Sequence, residues 1–230
     1  MPDEYNKWSP PLVVKMKLFI INCELIFSCM AWIQDPLVLE GQKVELHPLV
    51  HEHFDILISL AKDPKIWEYY GRNGADENII RHFLQEGLDL KQKNQHYPFV
   101  IYNKETGDII GTTRLGELTP THKTLEIGWT WYISSVWGKG YNEECKLLLL
   151  SYAFETLEAN RVQLKTAHFN LRSQSAIQRI GATYEGTLRN HMLTGDGSPR
   201  HTAVFSIIKE EWLDRKQKLQ KMINDKYAVL

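Results

Sequence analysis

Two hydrophobic periods alternate along most of this 230-residue chain. Over residues 38–46 apolar and polar positions alternate around Gly41, the two-residue period of a strand. Residues 51–61 switch to helical spacing, with Phe54, Leu57, Ile58 and Ala61 on one face, and residues 78–90 repeat it with Ile79, Ile80, Phe83, Leu84 and Leu88. A meander is predicted next: strands over 97–102, 109–118 and 124–134, the first two joined by a turn at 104–108 where Gly107 can take a positive φ. Residues 140–159 read as a helix with Leu147, Leu150, Phe154 and Leu157 on one face. A strand over 161–169 and a short helix over 173–180, stopped by Gly181, follow. Strands at 183–193 and 202–208 flank the polar turn 194–199, and the charged tail 209–227 reads as a helix with Trp212, Leu219, Met222 and Ile223 as its apolar stripe. That narrow stripe suggests a contact in a homodimer. With no repeat and no Gly/Ser/Pro linker, the pattern predicts one mixed α+β domain.

The first 35 residues stand apart. Lys15 and Lys17 precede an apolar run at 18–33 that only Asn22, Glu24 and Ser28 interrupt. As an export signal it has a poor cleavage site, because bulky Trp32 follows Cys29-Met30-Ala31 directly. As a membrane helix it falls short of the roughly 20 residues a bilayer needs and carries Glu24 near its centre. It is therefore expected to be an apolar extension over 1–35 that packs on the body or a partner, followed by a single domain over 36–230.

Composition narrows the class. Lys+Arg 27 against Asp+Glu 28 leaves a net charge of −1, so no global positive field calls for nucleic acid or an anionic membrane. Cys23, Cys29 and Cys145 are odd in number and scattered, which argues against a disulfide framework or structural zinc and fits a reducing, cytoplasmic setting. The histidines show no metal-ligand spacing, so no metal is expected.

The informative stretch is Trp129-Thr130-Trp131-Tyr132-Ile133-Ser134-Ser135-Val136-Trp137-Gly138-Lys139-Gly140-Tyr141-Asn142. A strand that runs through G-x-G into a helix presents free backbone N–H groups at a positive helix terminus, an anion site suited to a pyrophosphate. Glycine also serves tight turns that bind nothing. A dinucleotide fingerprint is disfavoured, since Glu143 stands where a third glycine should be.

These residues resemble a known family. Trp137-Gly138-Lys139-Gly140-Tyr141 with Glu144, then Asn170-x-x-Ser173 and Gly181-Ala182, is similar to the GNAT acetyltransferases. The likeness is greatest to the RimJ/RimL-like branch, which acetylates N-terminal amines of ribosomal proteins. It spans roughly residues 39–212 and includes the opening LEGQKVELHPL and the segment KDPKIWEYY. The resemblance implies the GNAT fold, with a central sheet of about seven strands and a V-shaped split between two parallel strands. It also implies acetyl-CoA as co-substrate. Backbone groups of Trp131, Tyr132 and Ile133 would pair with the pantetheine like an added strand. The pyrophosphate would sit on Gly138, Lys139, Gly140, Tyr141 and Asn142. Asn170 would contact the cofactor, although asparagine is also a favoured helix N-cap.

Direct attack of a neutral amine on a thioester needs a base and a home for the thiolate. Glu126, at the start of the strand lining the split, is the candidate base; as a strand carboxylate it could equally be structural. Ser173 is the candidate donor to the sulfur, because Ile177 stands where many relatives carry a tyrosine. Cys145 reads as core packing. Trp67, Tyr70 and Trp129 are candidate walls of the acceptor pocket, with the core as their other reading. The expected activity is an N-acetyltransferase acting on a protein or peptide N-terminal amine. The alternatives are a small-molecule amine acceptor or a non-catalytic acyl-CoA-binding protein.

Overall fold

The computed structural model describes residues 31–228. The expected extension at 18–33 therefore lies, except for its last three residues, outside the described residues. In chain order the elements are β1 (Leu39–Glu40), β2 (Val44–Pro48), α1 (Phe54–Leu60), α2 (Glu77–Gln92), β3 (Tyr97–Asn103), β4 (Ile109–Thr119) and β5 (Thr124–Tyr132). They continue with α3 (Tyr141–Ser151), β6 (Arg161–Ala167), α4 (Leu171–Arg179), β7 (Thr183–Leu193), β8 (Pro199–Ile208) and α5 (Trp212–Tyr227).

The strand expected over 38–46 is instead a hairpin, because the chain reverses at Gly41–Lys43 and Leu39 pairs with Leu46. That extra strand makes the sheet eight-stranded, in the order β1-β2-β3-β4-β5-β6-β8-β7. Every pairing is antiparallel except β5 with β6, which α3 joins by a crossover. The helix predicted over 140–159 ends as an α-helix at Ser151 and finishes in a wider π turn at Tyr152–Thr156.

Helix α2 starts where the Asp76 side chain accepts from the backbone N–H groups of Asn78 (2.8 Å) and Ile79 (3.2 Å). It buries Ile80, Phe83, Leu84 and Leu88 with α1, Val100, Ile109 and Trp131 on one face of the sheet. The opposite face is covered by α3, which buries Cys145, Leu149 and Leu150, and by α5, whose Trp212 stacks on Phe154 at 5.2 Å. The apolar stripe of the tail is thus taken up inside the chain: Trp212, Leu219 and Ile223 are all buried.

One carboxylate ties α3 to two distant segments. Glu144, buried on α3, accepts from the backbone N–H groups of Gln42 and Lys43 in the β1–β2 turn and from the Tyr227 hydroxyl (2.6 Å) at the end of α5. Hydrogen bonds to a charged group contribute more than neutral ones, and removing the acceptor leaves buried donors unsatisfied. Glu144→Ala should therefore lower unfolding free energy by roughly 3 kcal/mol in urea titrations. An unchanged midpoint would contradict this role.

Candidate active site

The split in the sheet follows from register. Parallel pairing of β5 with β6 runs only through Thr124↔Arg161, Leu125↔Val162 and Glu126↔Gln163. Beyond that, β5 stays with β4 as far as Tyr132↔Gly111, and β6 stays with β8 as far as Ala167↔Thr202. A bulge in β5 accompanies the divergence: Trp129 and Thr130 together oppose Thr113, between the pairs Arg114↔Gly128 and Thr112↔Trp131. Trp129 sits at φ 53°, a costly conformation for a bulky side chain. Its indole is held against His96, at 4.4 Å between ring centroids, and against the Arg114 guanidinium at 5.7 Å. A cavity of about 890 Å³ opens in the split, walled by residues 126–132 of β5 and 164–167 of β6.

One end of the cavity meets the start of α3. Gly138 (φ 78°) and Gly140 (φ 92°) both use the left-handed region, which turns the chain from β5 into the helix. A Cβ on Gly138 would stand in open space, whereas one on Gly140 would lie 2.7 Å from the Tyr227 ring. The first helical bond of α3 runs from the Glu144 N–H to the Gly140 carbonyl (3.0 Å). The N–H groups of Tyr141, Asn142 and Glu143 precede it, and all three residues line the cavity. Buried Glu143 puts a carboxylate beside them, balanced by an ion pair with Lys226 of α5 and by Arg179 of α4 at 3.7 Å. Orphan N–H groups at a positive helix end, beside open space, fit a phosphate-bearing ligand.

Glu126 lies buried on the cavity wall, with Lys165 Nζ 2.7 Å from its carboxylate and Gln163 Nε2 at 3.5 Å. Burial raises its pKa above the usual glutamate value, and the Lys165 hydrogen bond and charge oppose that shift without cancelling it. Ser173 and Asn170 line the same cavity, and the Asn170 side chain caps α4 by accepting from the Ser173 N–H (2.9 Å). Trp131, Tyr132, Gly138, Tyr70 and Trp129 also reach the wall.

Four expected site residues do not line the cavity. Trp67 is buried in the core against Trp131 (5.6 Å) and donates its Nε1–H to the Ala61 carbonyl (2.7 Å). The Ile133 N–H is engaged by the Ile110 carbonyl of β4 (2.9 Å), so it is closed to a ligand. Gly140 is covered by Tyr227, and Lys139 is exposed. Cys145 is fully buried and its thiol is pushed up by burial, which suits packing rather than nucleophilic attack.

The sequence pattern did not single out Lys146. It lies on α3 among leucines, yet it is buried on the cavity wall, where its Nζ donates to Thr130 Oγ1 at 2.8 Å and makes no carboxylate contact among the described residues. Burial pulls its pKa down to about 8. The unfolded chain then holds more protons than the folded one between about pH 8 and pH 10.4, so stability rises with pH across that window and the full penalty applies below it. Lys146→Met should raise stability at pH 7 by roughly 3 kcal/mol and flatten its pH dependence above pH 8, as followed by thermal denaturation. An unchanged or lower melting temperature at pH 7 would contradict the burial of a charged amine.

The profile of the acetyltransferase (GNAT) domain matches residues 43–183. YdaF of Bacillus subtilis (strain 168), provisionally named a ribosomal N-acetyltransferase, is 33% identical over 151 residues, covering 64% of this chain and 78% of YdaF. A crystal structure of a protein from T. thermophilus, provisionally named an acetyltransferase, superposes with a TM-score of 0.73 at 32% identity, covering 83% of this chain and 98% of that one. RimJ of Mycobacterium smegmatis, in complex with CoA-disulfide, shares the fold at a TM-score of 0.69 and 19% identity, covering 82% of this chain and 95% of RimJ. Fold, split and helix-end geometry agree with the sequence motifs, and the chain belongs to the GNAT acetyltransferases.

Proposed function

We propose that this chain transfers the acetyl group of acetyl-CoA to the N-terminal α-amine of a protein or peptide, by direct attack in a ternary complex. The observation that carries the reading is the split itself. Orphan N–H groups at the start of α3 meet one end of the cavity, and the buried carboxylate of Glu126 lies on its wall. The domain at 36–230 is the catalytic unit in this reading, and the cytoplasm is its setting. No helix among the described residues is long and apolar enough to cross a membrane.

Each step falls to a group on the cavity wall. Gly138, Tyr141 and Asn142 hold the diphosphate at the helix end. The edge of β5 at Trp131 and Tyr132 pairs with the pantetheine amides, and Asn170 flanks them from the start of α4. Glu126, directly or through a water, takes the proton of the attacking amine as the C–N bond forms and the C–S bond breaks. An α-amine with an ordinary pKa of about 7.7–8.0 is already partly neutral near pH 7, so this base has less to do than for a lysine amine near 10.4. The departing sulfur needs a proton or a donor. Ile177 has none to offer, while the Ser173 hydroxyl and the Lys146 ammonium line the same cavity. The relative named for ribosomal N-acetylation supports a peptide N-terminus as acceptor.

Two measurements test the assignment. Gly138→Val puts a β-branched side chain at φ 78°, a strained backbone, although its Cβ meets no protein atom; it should abolish acetyl-CoA binding in calorimetry, with a native circular dichroism spectrum showing that the strain stays within the loop. Gly140 is unsuitable for this test, since a Cβ there collides with Tyr227. Unchanged affinity in folded Gly138→Val would remove the helix-end site.

Glu126→Gln should lower turnover of a peptide amine by roughly 10²-fold or more, in the range of general-base loss. In the wild type kcat/KM should fall on the acid side first with the amine's own ionisation and then more steeply at a pKa above the ordinary glutamate value, because only the deprotonated carboxylate accepts the proton and burial raises its pKa; this second, steeper limb is the one that reports Glu126. The variant should lose that limb. A variant that keeps both its rate and the steeper limb would rule out Glu126 as the base.

A further inference from the structure

We infer that the acceptor carries an oxyanion, carboxylate or phosphate, which Arg72 and Arg200 bind on the acceptor wall of the cavity. This inference rests on the acetyl-transfer reading above and names the class of amine that the site takes.

The two guanidiniums come from segments far apart in sequence. Arg72 lies in the loop before α2, and Arg200 lies at the start of β8. The loops are pinned together where the Gly195 N–H of the β7–β8 turn donates to the Gly71 carbonyl (3.0 Å), and Arg200 packs against Gly71. Both arginines line the cavity with Tyr70, whose phenol burial pushes up to about 12 and which feels both guanidinium charges. Their mutual repulsion also helps to lower the Arg200 pKa, behind the larger effect of burial.

Neither cation has a carboxylate partner among the described residues. Arg200 Nε is buried without a hydrogen-bond partner, and its remaining contact, from Nη2 to Met192 Sδ at 2.9 Å, uses a thioether, a weak acceptor. Arg72 lies over the Phe83 ring at 5.6 Å. The acids on the cavity wall are turned elsewhere: Glu117 to His96 (3.9 Å), Glu126 to Lys165 and Glu143 to Lys226. Arg114, the third guanidinium near Tyr70, is matched by Glu86 at 3.4 Å and by the Phe83 carbonyl. Holding two unpaired guanidiniums together costs repulsion and desolvation, and an oxyanion bound bidentately relieves both. They sit on the α2 side of the sheet with Trp129 and Phe83, whereas the N–H groups that suit the cofactor phosphates belong to α3 on the other face. The same charge repels a polyamine.

The test uses the full chain with saturating acetyl-CoA and follows CoA release. The acceptors are Ser-Asp-Asp-Gly, Ser-Gly-Gly-Gly and Ser-Lys-Lys-Gly peptides, free aspartate, phosphoethanolamine and spermidine. At least one anionic acceptor should exceed the neutral peptide in kcat/KM by about tenfold or more, and spermidine and the lysine peptide should fall below it. Which of the acidic peptide, aspartate and phosphoethanolamine leads identifies the source of the anion. Arg72→Gln and Arg200→Gln should each cut the anionic-to-neutral ratio about tenfold, with part of the loss restored in Arg200→Lys. Turnover of spermidine equal to that of the best anionic acceptor would overturn the proposal. So would an unchanged ratio in both variants, or variants that weaken acetyl-CoA binding while sparing that ratio. A chain that binds acetyl-CoA yet acetylates none of these amines would overturn the transfer reading, and the anion site with it.

Discussion

Three residue pairs decide the character of this molecule. The parallel contact of β5 with β6 stops at Glu126↔Gln163, and the cavity opens from that point. A strand whose neighbour departs leaves its N–H and C=O groups without a ladder, and such an edge is a liability unless something pairs with it. Here the edge faces a cavity rather than bulk solvent, and the helix that follows β5 begins at the cavity's end. The bulge at Trp129 and Thr130 belongs to the same constraint, because it lets β5 keep its pairs with β4 while it bends away from β6. The strain of a tryptophan at positive φ is borne where Arg114, His96 and Phe83 over-determine its surroundings.

The C-terminal helix α5 gives that arrangement its rigidity. Its Trp212 stacks on Phe154 just after α3, Leu219 and Ile223 are buried, and its last turn delivers Lys226 to Glu143 and Tyr227 to both Glu144 and Gly140. Glu144 then reaches the β1–β2 turn. The start of α3 is therefore clamped from two sides by segments at opposite ends of the domain. A helix terminus meant to receive a multivalent anion gains from such clamping, since the ligand need not order it. Lys146 shows the opposite compromise. A buried ammonium lowers stability at neutral pH, and its place on the cavity wall is consistent with a functional reason for tolerating it.

Local signals carried much of the fold. Alternation located the meander strands, helical spacing found α1 and α2, and Gly138 with Gly140 marked the turn into α3. What escaped was set by contacts between distant residues. The β1–β2 hairpin hides in an alternating run, because Gly41 reverses the chain only once Glu144 accepts from Gln42 and Lys43. Trp67 read as either a pocket wall or core, and its pattern could not reveal that Trp131 and the Ala61 carbonyl enclose it. Lys146 resembles any lysine on a leucine-rich helix until the fold places Thr130 above it. Arg72 and Arg200 come from segments more than a hundred residues apart, which the Gly195–Gly71 hydrogen bond joins. The residues near 18–33 were legible as an apolar run, and most of that run lies outside the described residues.

The central claim is that the divergence of β5 from β6 creates the site where acetyl-CoA binds. Hydrogen–deuterium exchange with and without acetyl-CoA addresses it directly, because bound cofactor should protect the exposed β5 edge and the first N–H groups of α3. The account predicts slower exchange in peptides covering 129–144 and 164–173, with β2 and β3 unchanged. Protection confined to other segments, or none at saturating acetyl-CoA, would contradict it.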